Sequence, residues 1–192
     1  MVQLQKDDYI YVLDYLPKGK SEVPSHKRKP LAQAIGITYF SLLEVTPREG
    51  KSFEPGDKVY IGEGVREKVD HIERRIKYEW LTPTAKSELS HVLLQIVLSD
   101  ESKFVEFFNT TGIISTRQHK LEILPKIGKR HRDEILEERR SKPFESFDDM
   151  TARLKNLPDP GKVIVGRIIE ELKGESKYRL FVPISQDSRQ GR

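Results

Sequence analysis

One short motif occurs twice in the C-terminal half of this chain, starting at residue 124 and again at residue 157, an offset of 33 residues. The two copies read Leu124-Pro125-Lys126-Ile127-Gly128 and Leu157-Pro158-Asp159-Pro160-Gly161. Each glycine is followed by a lysine and, at matching positions, by two apolar residues and two glutamates, at 135–138 and 168–171. A turn that twice opens a helix in the same apolar register predicts two copies of one structural unit.

The segment between the two copies carries a helix start of its own. Ser146 can cap a connecting helix, and Asp149 stands at its third position, as in a near relative of the capping box. From about residue 115 the predicted order is therefore helix, hairpin, helix, connector, helix, hairpin, helix.

This order resembles the tandem helix-hairpin-helix domain of DNA repair and recombination proteins, whose hairpins follow a Leu-Pro-Gly-hydrophobic-Gly pattern. The resemblance covers about residues 115–174, with motifs at about 115–140 and 147–174, and implies binding to nucleic acid. Lys126 and Asp159 replace the first glycine of each hairpin, and Arg132 stands where a small residue usually packs between helices.

A hairpin of this kind is an anion cradle. Glycine in a tight turn lets the backbone approach a phosphate, and the following helix begins with unpaired N–H groups and a positive dipole end. Phosphate contacts position a protein without reading base sequence.

The two copies differ in charge, so we expect the first to bind and the second, with Gly161 and Lys162, mainly to support the fold. The second copy has apolar residues at 163–165, where the first has Arg130, His131 and Arg132. The predicted phosphate site of the first copy consists of Lys126, Ile127, Gly128, Lys129, Arg130 and Arg132. Both copies could instead be plain connectors in a helical bundle.

The first 81 residues favour strands, which are predicted at 9–16, 32–45, 58–61 and 72–80 because these segments are rich in β-branched and aromatic residues. Residues 65–76 also fit a helix, but alternation from about residue 71 favours a strand. Short strands at this spacing indicate a small closed or half-closed barrel of the OB or S1 type.

The period becomes helical at Thr82, the predicted N-cap, with Pro83 in the first turn. A second short helix carries core aromatics around Phe104 and Phe108 and ends at Thr111-Gly112. The expected fold class is α+β, a small N-terminal OB/S1-like β-barrel (1–81) followed by an all-α tandem helix-hairpin-helix domain (82–184). Residues 185–192 are expected to form a disordered tail.

Charge is unevenly distributed along the chain. Lys and Arg fall one short of Asp and Glu over residues 1–114 and exceed them by five over residues 115–192. In the N-terminal part, a basic loop over residues 18–30 is predicted to contact nucleic acid through Lys18, Lys20, Lys27, Arg28 and Lys29. The rings available for stacking on bases are Tyr9, Tyr11, Tyr39, Tyr60, Tyr78 and Trp80.

Several classes of site and location are not expected. The chain has no cysteine, and its histidines form no HExxH-like spacing, so we expect neither a disulfide nor a metal or cofactor site. The sequence has no apolar run of membrane-spanning length and no signal-peptide pattern, which predicts a soluble, cytoplasmic protein.

Nearly the whole chain resembles an uncharacterised archaeal family of predicted nucleotide- or RNA-binding proteins. The resemblance rests on the basic loop, the junction at 76–82 and the segment 142–147. We expect a non-catalytic module that binds RNA or DNA, and the alternatives are a scaffold in a nucleic-acid-processing complex or a nucleic-acid-processing enzyme. An enzyme would need more than the acidic pairs at 137–138 and 148–149, which are better explained as helix charges.

Overall fold

The computed structural model describes residues 6–183, so the predicted disordered tail at 185–192 lies outside the described residues. The described chain divides into two compact units. Unit 1 contains the residues up to Val92 together with those from Glu170 onward, and unit 2 contains Leu93–Ile169. This division describes compactness rather than independent folding, and the predicted domains 1–81 and 82–184 stay a prediction.

Unit 1 is built on a curled, five-stranded antiparallel sheet that forms a half-barrel. Its strands are β1 (Tyr9–Leu16), β2 (Leu31–Gly36), β3 (Leu42–Pro47), β4 (Lys58–Tyr60) and β5 (Val69–Arg75), in the order β4-β1-β2-β3-β5. Irregular pairing of β1 with β2 and of β5 with β3 marks bulges in β1 and β5, and bulges bend a sheet and increase its twist. The edge strands β4 and β5 of the described sheet do not pair with each other, so the half-closed alternative for the sheet fits better than a closed barrel.

The strand predicted over residues 32–45 is wrong as a single element, because β2 and β3 are separated by a turn. The Asp7 carboxylate makes this turn, since its Oδ1 accepts hydrogen bonds from the amides of Thr38 and Tyr39, both at 2.8 Å. Phe40 follows with a φ of 55° and is buried. The residues of this turn have high β-propensity, so the sequence alone suggests a continuous strand. The Asp7 carboxylate that forms the turn lies about thirty residues earlier in the chain.

The strand predicted over residues 72–80 is wrong at both ends. β5 begins at Val69 and ends at Arg75, and Tyr78–Trp80 form a 3-10 helix. Only the first residue of β5 is buried, so the alternation of apolar and polar residues does not mark the ends of this charged edge strand. Charged edges of this kind discourage pairing with other chains.

One face of the sheet holds the core of unit 1. Its buried members are Ile10, Val12, Ala32, Ala34, Leu43, Val45, Phe53, Val59, Ile61 and Val69. β3 is buried along its whole length, so its opposite face is covered as well. That second face contains two fully buried polar side chains, Gln33 and Glu44.

A buried carboxylate holds the last described segment of unit 1. The Glu171 side chain is fully buried and accepts hydrogen bonds from three successive amides, those of Leu180 (2.7 Å), Phe181 (3.0 Å) and Val182 (2.8 Å). A charge-assisted hydrogen bond is about twice as strong as a neutral one. One side chain therefore binds three successive amides of the segment that ends the described chain.

Five α-helices lie within residues 6–183. They are α1 (Pro83–Ser99), α2 (Glu101–Thr110), α3 (Lys129–Ser141), α4 (Phe147–Arg153) and α5 (Pro160–Lys173). The predicted cap of α1 is confirmed, since Thr82 Oγ1 accepts from the Ala85 amide at 3.1 Å, and Ser146 caps α4 in the same way. Within residues 6–183, no helix combines the length and the hydrophobicity that a membrane span requires.

Unit 2 departs from the predicted helix order before its first motif. A small hairpin of β6 (Ile113–Ser115) and β7 (Gln118–His119) leads into a 3-10 helix at Lys120–Ile123, where we expected an α-helix. An α-helix does not form here because residues 113–119 pair as two short antiparallel strands, which leaves only residues 120–123 before the turn at Leu124.

Candidate nucleic-acid interface

The first hairpin turns at Lys126, whose φ is 64°. This left-handed conformation favours glycine, so Lys126 adopts the backbone geometry of the glycine that it replaces. Two hydrogen bonds support the turn, from the Ile127 amide to Leu124 O (3.2 Å) and between His131 Nδ1 and Lys126 O (3.2 Å). Ile127 itself is buried and anchors the turn to the core.

Helix α3 begins in open space directly after this turn. Gly128 is its N-cap residue, with extended backbone, and no side chain within the described residues caps it. A side chain at Gly128 would meet no atom within 4 Å of its Cβ. The first amides of α3 and the positive end of its dipole therefore face solvent.

Three of the predicted cations stand exposed around this helix start, namely Lys126, Lys129 and Arg130. Arg130 pairs with Glu134 at 2.8 Å, but its side chain is 79% exposed, and such surface pairs contribute little. Arg132 differs because it bonds Glu122 at 2.9 Å and Asp133 at 2.7 Å, with a side chain that is largely buried. Its charge is compensated within the fold.

The second hairpin has a different backbone. Its left-handed residue is Asn156, which precedes the motif, and α5 begins within the motif at Pro160. The Asp159 carboxylate accepts from the Lys162 amide at 3.0 Å, so an anion of the protein already occupies this helix start. Gly161 is buried, and its added Cβ would lie 3.3 Å from Leu94 Cδ1.

Helix α5 positions the first hairpin. Gly166 lets Pro125 approach, since an added Cβ would lie only 3.1 Å from Pro125 Cγ. The buried Arg167 donates to Ile123 O at 3.0 Å, one residue before the hairpin. The second repeat thus supplies the surface on which the first hairpin rests.

Two of the five cations in the predicted basic loop of unit 1 are bound to other groups of the protein. Arg28 donates to Val23 O at 2.6 Å and to Ser21 O at 2.8 Å, and Lys20 pairs with Glu44 at 2.5 Å. The other three cations, Lys18, Lys27 and Lys29, are exposed.

Of the candidate stacking rings, two are substantially exposed. Trp80 is 49% exposed and Tyr9 is 46% exposed, whereas Tyr11 is buried. Tyr9 packs edge-on against Tyr60, with 5.2 Å between ring centroids. Tyr39, Tyr60 and Tyr78 are partly buried.

Comparison with known proteins identifies the family. The sequence model of DUF655, a protein family of unknown function, matches residues 6–183. The chain belongs to the DUF655 family. An uncharacterised DUF655 relative by sequence, MJ0038 of Methanocaldococcus jannaschii, is 46% identical over 178 residues, which cover 92% of this chain and 80% of that protein.

A solved DUF655 structure has the same fold. The crystal structure of Af1531 from Archaeoglobus fulgidus superposes with a TM-score of 0.87 at 49% identity, over 92% of this chain and all of that one. The predicted resemblance to an uncharacterised archaeal family is confirmed at this level. Nucleic-acid binding is not part of these descriptions and stays a prediction.

Sequence reasoning missed three arginines that organise unit 2 of this DUF655 protein. Arg139 donates to Phe108 O and Thr111 O at the end of α2, and Arg153 donates to Glu138 O and Lys142 O at the end of α3. Arg167 does the same for the 3-10 helix before the first hairpin. They recur every 14 residues, at 139, 153 and 167, but sequence does not show which carbonyls they reach. A charge count therefore overstates the free positive charge.

His119 supports the base of the first hairpin as a neutral acceptor. Its Nδ1 accepts from the Leu121 amide at 3.1 Å, while its own amide donates to Glu122 Oε2 at 2.9 Å, which makes a capping box. Burial, followed by the charges of Arg139 and Arg132, lowers the pKa of His119 from its ordinary value. Protonation would remove the acceptor.

Acidification should therefore destabilise the 3-10 helix below the first hairpin. Because the folded-state pKa is lowered, the contribution of His119 is complete above an unfolded pKa of about 6.5 and is lost as the pH falls below that value through the folded-state pKa. We expect faster hydrogen exchange of the Leu121 amide at about pH 5 than at about pH 7.5, after correction for intrinsic rates. His119→Asn keeps an acceptor that does not titrate and should remove most of this pH dependence.

His71 serves as a comparison, because its pKa is shifted in the opposite direction from that of His119. Its bond to Asp70 is the largest cause that raises the pKa of His71, and Glu73 raises it further. The contribution of His71 is therefore present below about pH 6.5 and is lost as the pH rises through the folded-state pKa. If His119→Asn shows the same pH dependence as the wild type at Leu121, the neutral capping role of His119 is refuted.

Proposed function

We propose that this chain binds RNA or DNA without catalysing a reaction on it, and that the first hairpin holds backbone phosphates. The observation that carries the proposal is the uncapped start of α3 beside a left-handed lysine. In finer terms, we propose that the half-barrel of unit 1 is of the OB or S1 type and that unit 2 is a tandem helix-hairpin-helix domain.

The chemistry of the first hairpin suits a phosphate. The early amides of α3 supply donors and a positive dipole end, and three exposed cations, Lys126, Lys129 and Arg130, surround them. Arg132 is left out of the proposed site because Glu122 and Asp133 bind it. Such contacts fix a strand in place without selecting its sequence.

The basic loop is proposed as a second phosphate-binding surface. Lys18, Lys27 and Lys29 are exposed, and the loop that carries them is closed at its base, where an added Cβ at Gly19 would lie 2.5 Å from Lys29 O. Lys20 and Arg28 hold the loop in shape rather than contacting the ligand. A closed loop presents its charges at lower entropic cost than a flexible one.

The salt dependence of binding tests the first hairpin. With about four neutralised phosphates, log K should fall with log salt at a slope of roughly −3 to −4. Lys129→Ala should flatten this slope by about 1, since one phosphate contact is lost. The matched control is Lys162→Ala in the second hairpin, which should leave the slope unchanged because Asp159 already occupies that helix start.

A second variant separates binding from folding. Gly128→Asp would place a carboxylate at the N-cap of α3, as Asp159 is placed in the second hairpin. The extended backbone and open space at Gly128 accept this side chain. Stability should rise by about a few tenths of a kcal/mol, because glycine is itself tolerated at an N-cap, while binding is lost. Unchanged binding in both Lys129→Ala and Gly128→Asp would remove the first hairpin from the site.

A further inference from the structure

One buried carboxylate gathers two surface cations of unit 1. Glu44 is 2% exposed, and it bonds Lys20 Nζ at 2.5 Å through Oε1 and Arg74 Nε at 2.9 Å through Oε2. Burial raises the pKa of Glu44, but hydrogen bonds from Lys20, Arg74 and Gln33 outweigh it and hold the pKa below its ordinary value. The carboxylate therefore stays ionised at neutral pH, and both cations stay in place.

The exposed Trp80 belongs to the same cluster. The Arg74 guanidinium lies 5.0 Å from the centroid of the Trp80 ring. Gln33 fixes the backbone there, since its amide group donates to both Glu44 Oε1 (3.2 Å) and Trp80 O (2.9 Å). A buried polar network thus fixes the backbone of a residue whose indole is half open to solvent. Apolar side chains of this size are ordinarily buried much further.

Lys20 connects this indole to the basic loop. Lys20 and Arg74 bind the same carboxylate, so the loop that begins at Lys18 starts beside the Trp80–Arg74 pair. Exposed lysines of the loop supply charge for a phosphate backbone, and the ring supplies an apolar face. Alternating phosphate charge and flat aromatic bases is the chemistry of a nucleic-acid strand.

We infer that Trp80 and Arg74 form a stacking platform for unpaired bases, so that the ligand of unit 1 is single-stranded nucleic acid whose phosphates lie along the basic loop. This inference rests on the proposed function and adds the class of ligand. Bases in a duplex are stacked on one another and cannot reach a protein ring. A single strand offers its bases freely, and each base stacked on an aromatic side chain contributes strongly to affinity.

Tyr9 is the natural comparison for Trp80. It is exposed to a similar degree, and Lys58 Nζ lies 5.1 Å from its ring centroid. However, Tyr9 packs on Tyr60, and neither ring is bonded to the basic loop in the described contacts. The platform is therefore assigned to Trp80, and Tyr9→Ala serves as the matched control.

The test compares a short single strand with an abasic strand that carries the same number of phosphates. The wild type should bind the base-bearing strand about tenfold more tightly, because base stacking is the only difference between the probes. Trp80→Ala should abolish that ratio, Trp80→Phe should keep part of it, and Tyr9→Ala should leave it unchanged. Since the chain has one tryptophan, stacking should also quench its fluorescence with the base-bearing strand alone.

The outcomes separate this inference from the proposed function. Lys129→Ala should weaken both probes equally and preserve their ratio. Equal wild-type affinities for the two probes, or a ratio that survives in a folded Trp80→Ala variant, would overturn the platform while phosphate binding stands. Failure of both probes to bind at low salt would overturn the proposed function and the platform together. We expect Trp80→Ala to fold, because Gln33 bonds the backbone at this position rather than the indole. Thermal unfolding of the variant checks this.

Discussion

Replacing Glu171 with alanine should lower the free energy of unfolding of the protein by about 3–5 kcal/mol. The variant loses three charge-assisted hydrogen bonds at once, from the amides of Leu180, Phe181 and Val182. Because the carboxylate is fully buried, water cannot take its place without opening the fold. Urea unfolding followed by Trp80 fluorescence measures the change, since this tryptophan belongs to unit 1.

Two further variants sharpen this experiment. Glu171→Gln keeps the shape of the side chain but presents an NH₂ group to an amide donor, so it should also destabilise unit 1. Glu175→Ala, which changes an exposed glutamate nearby, should have little effect. Hydrogen exchange at residues 180–182 should accelerate in both Glu171 variants. If these amides exchange at the wild-type rate in Glu171→Ala, the three hydrogen bonds to Glu171 do not stabilise the segment.

Replacing Arg153 with alanine should destabilise unit 2 by about 2–4 kcal/mol. Its guanidinium donates to two backbone carbonyls at the end of α3, those of Glu138 (2.7 Å) and Lys142 (2.8 Å), and pairs with the carboxylates of Glu138 and Asp149. It also lies 4.5 Å from the centroid of the Phe144 ring. The Arg153 side chain thus joins the end of α3 to the connector between the two hairpins.

The geometry of Arg153 predicts that lysine does not replace it. A planar guanidinium can donate to several acceptors in fixed directions, whereas an ammonium group on a flexible stem cannot. Arg153→Lys should therefore recover little stability, while Arg140→Ala, at an exposed arginine of α3, should be close to neutral. Thermal unfolding by far-ultraviolet circular dichroism distinguishes these results. If Arg153→Lys has the stability of the wild type, the positive charge alone, rather than the directed hydrogen bonds of the guanidinium, matters at this site.

The sequence repeat predicted two hairpins, but it could not predict that their backbones differ. Left-handed φ falls at Lys126 within the first motif and at Asn156 before the second. At the position that Asp159 and Lys126 share in the two motifs, Asp159 caps α5 directly, whereas a lysine side chain cannot accept an amide hydrogen bond. Sequence similarity at the motif level therefore conceals a local choice between a capped and an open helix start.

Other features were not predictable because they depend on distant partners. The turn between β2 and β3 is made by Asp7, and the arginines of unit 2 reach carbonyls far away along the chain. Local sequence signals predicted the starts of α1 and α4 correctly, at the capping residues Thr82 and Ser146. It failed at Ile72–Trp80, where a β-prone segment ends as a 3-10 helix.

Unit 1 is interrupted in the chain by the whole of unit 2, and this order matters while the protein is being synthesised. At roughly 5–20 residues per second, translation needs several seconds to pass from Val92 to Glu170. During that interval all five strands have been made, but the carboxylate of Glu171 has not. Glu171 and the segment at 180–182 that it binds are both made after unit 2, so a chain truncated before Glu170 contains all five strands but lacks this bonded segment.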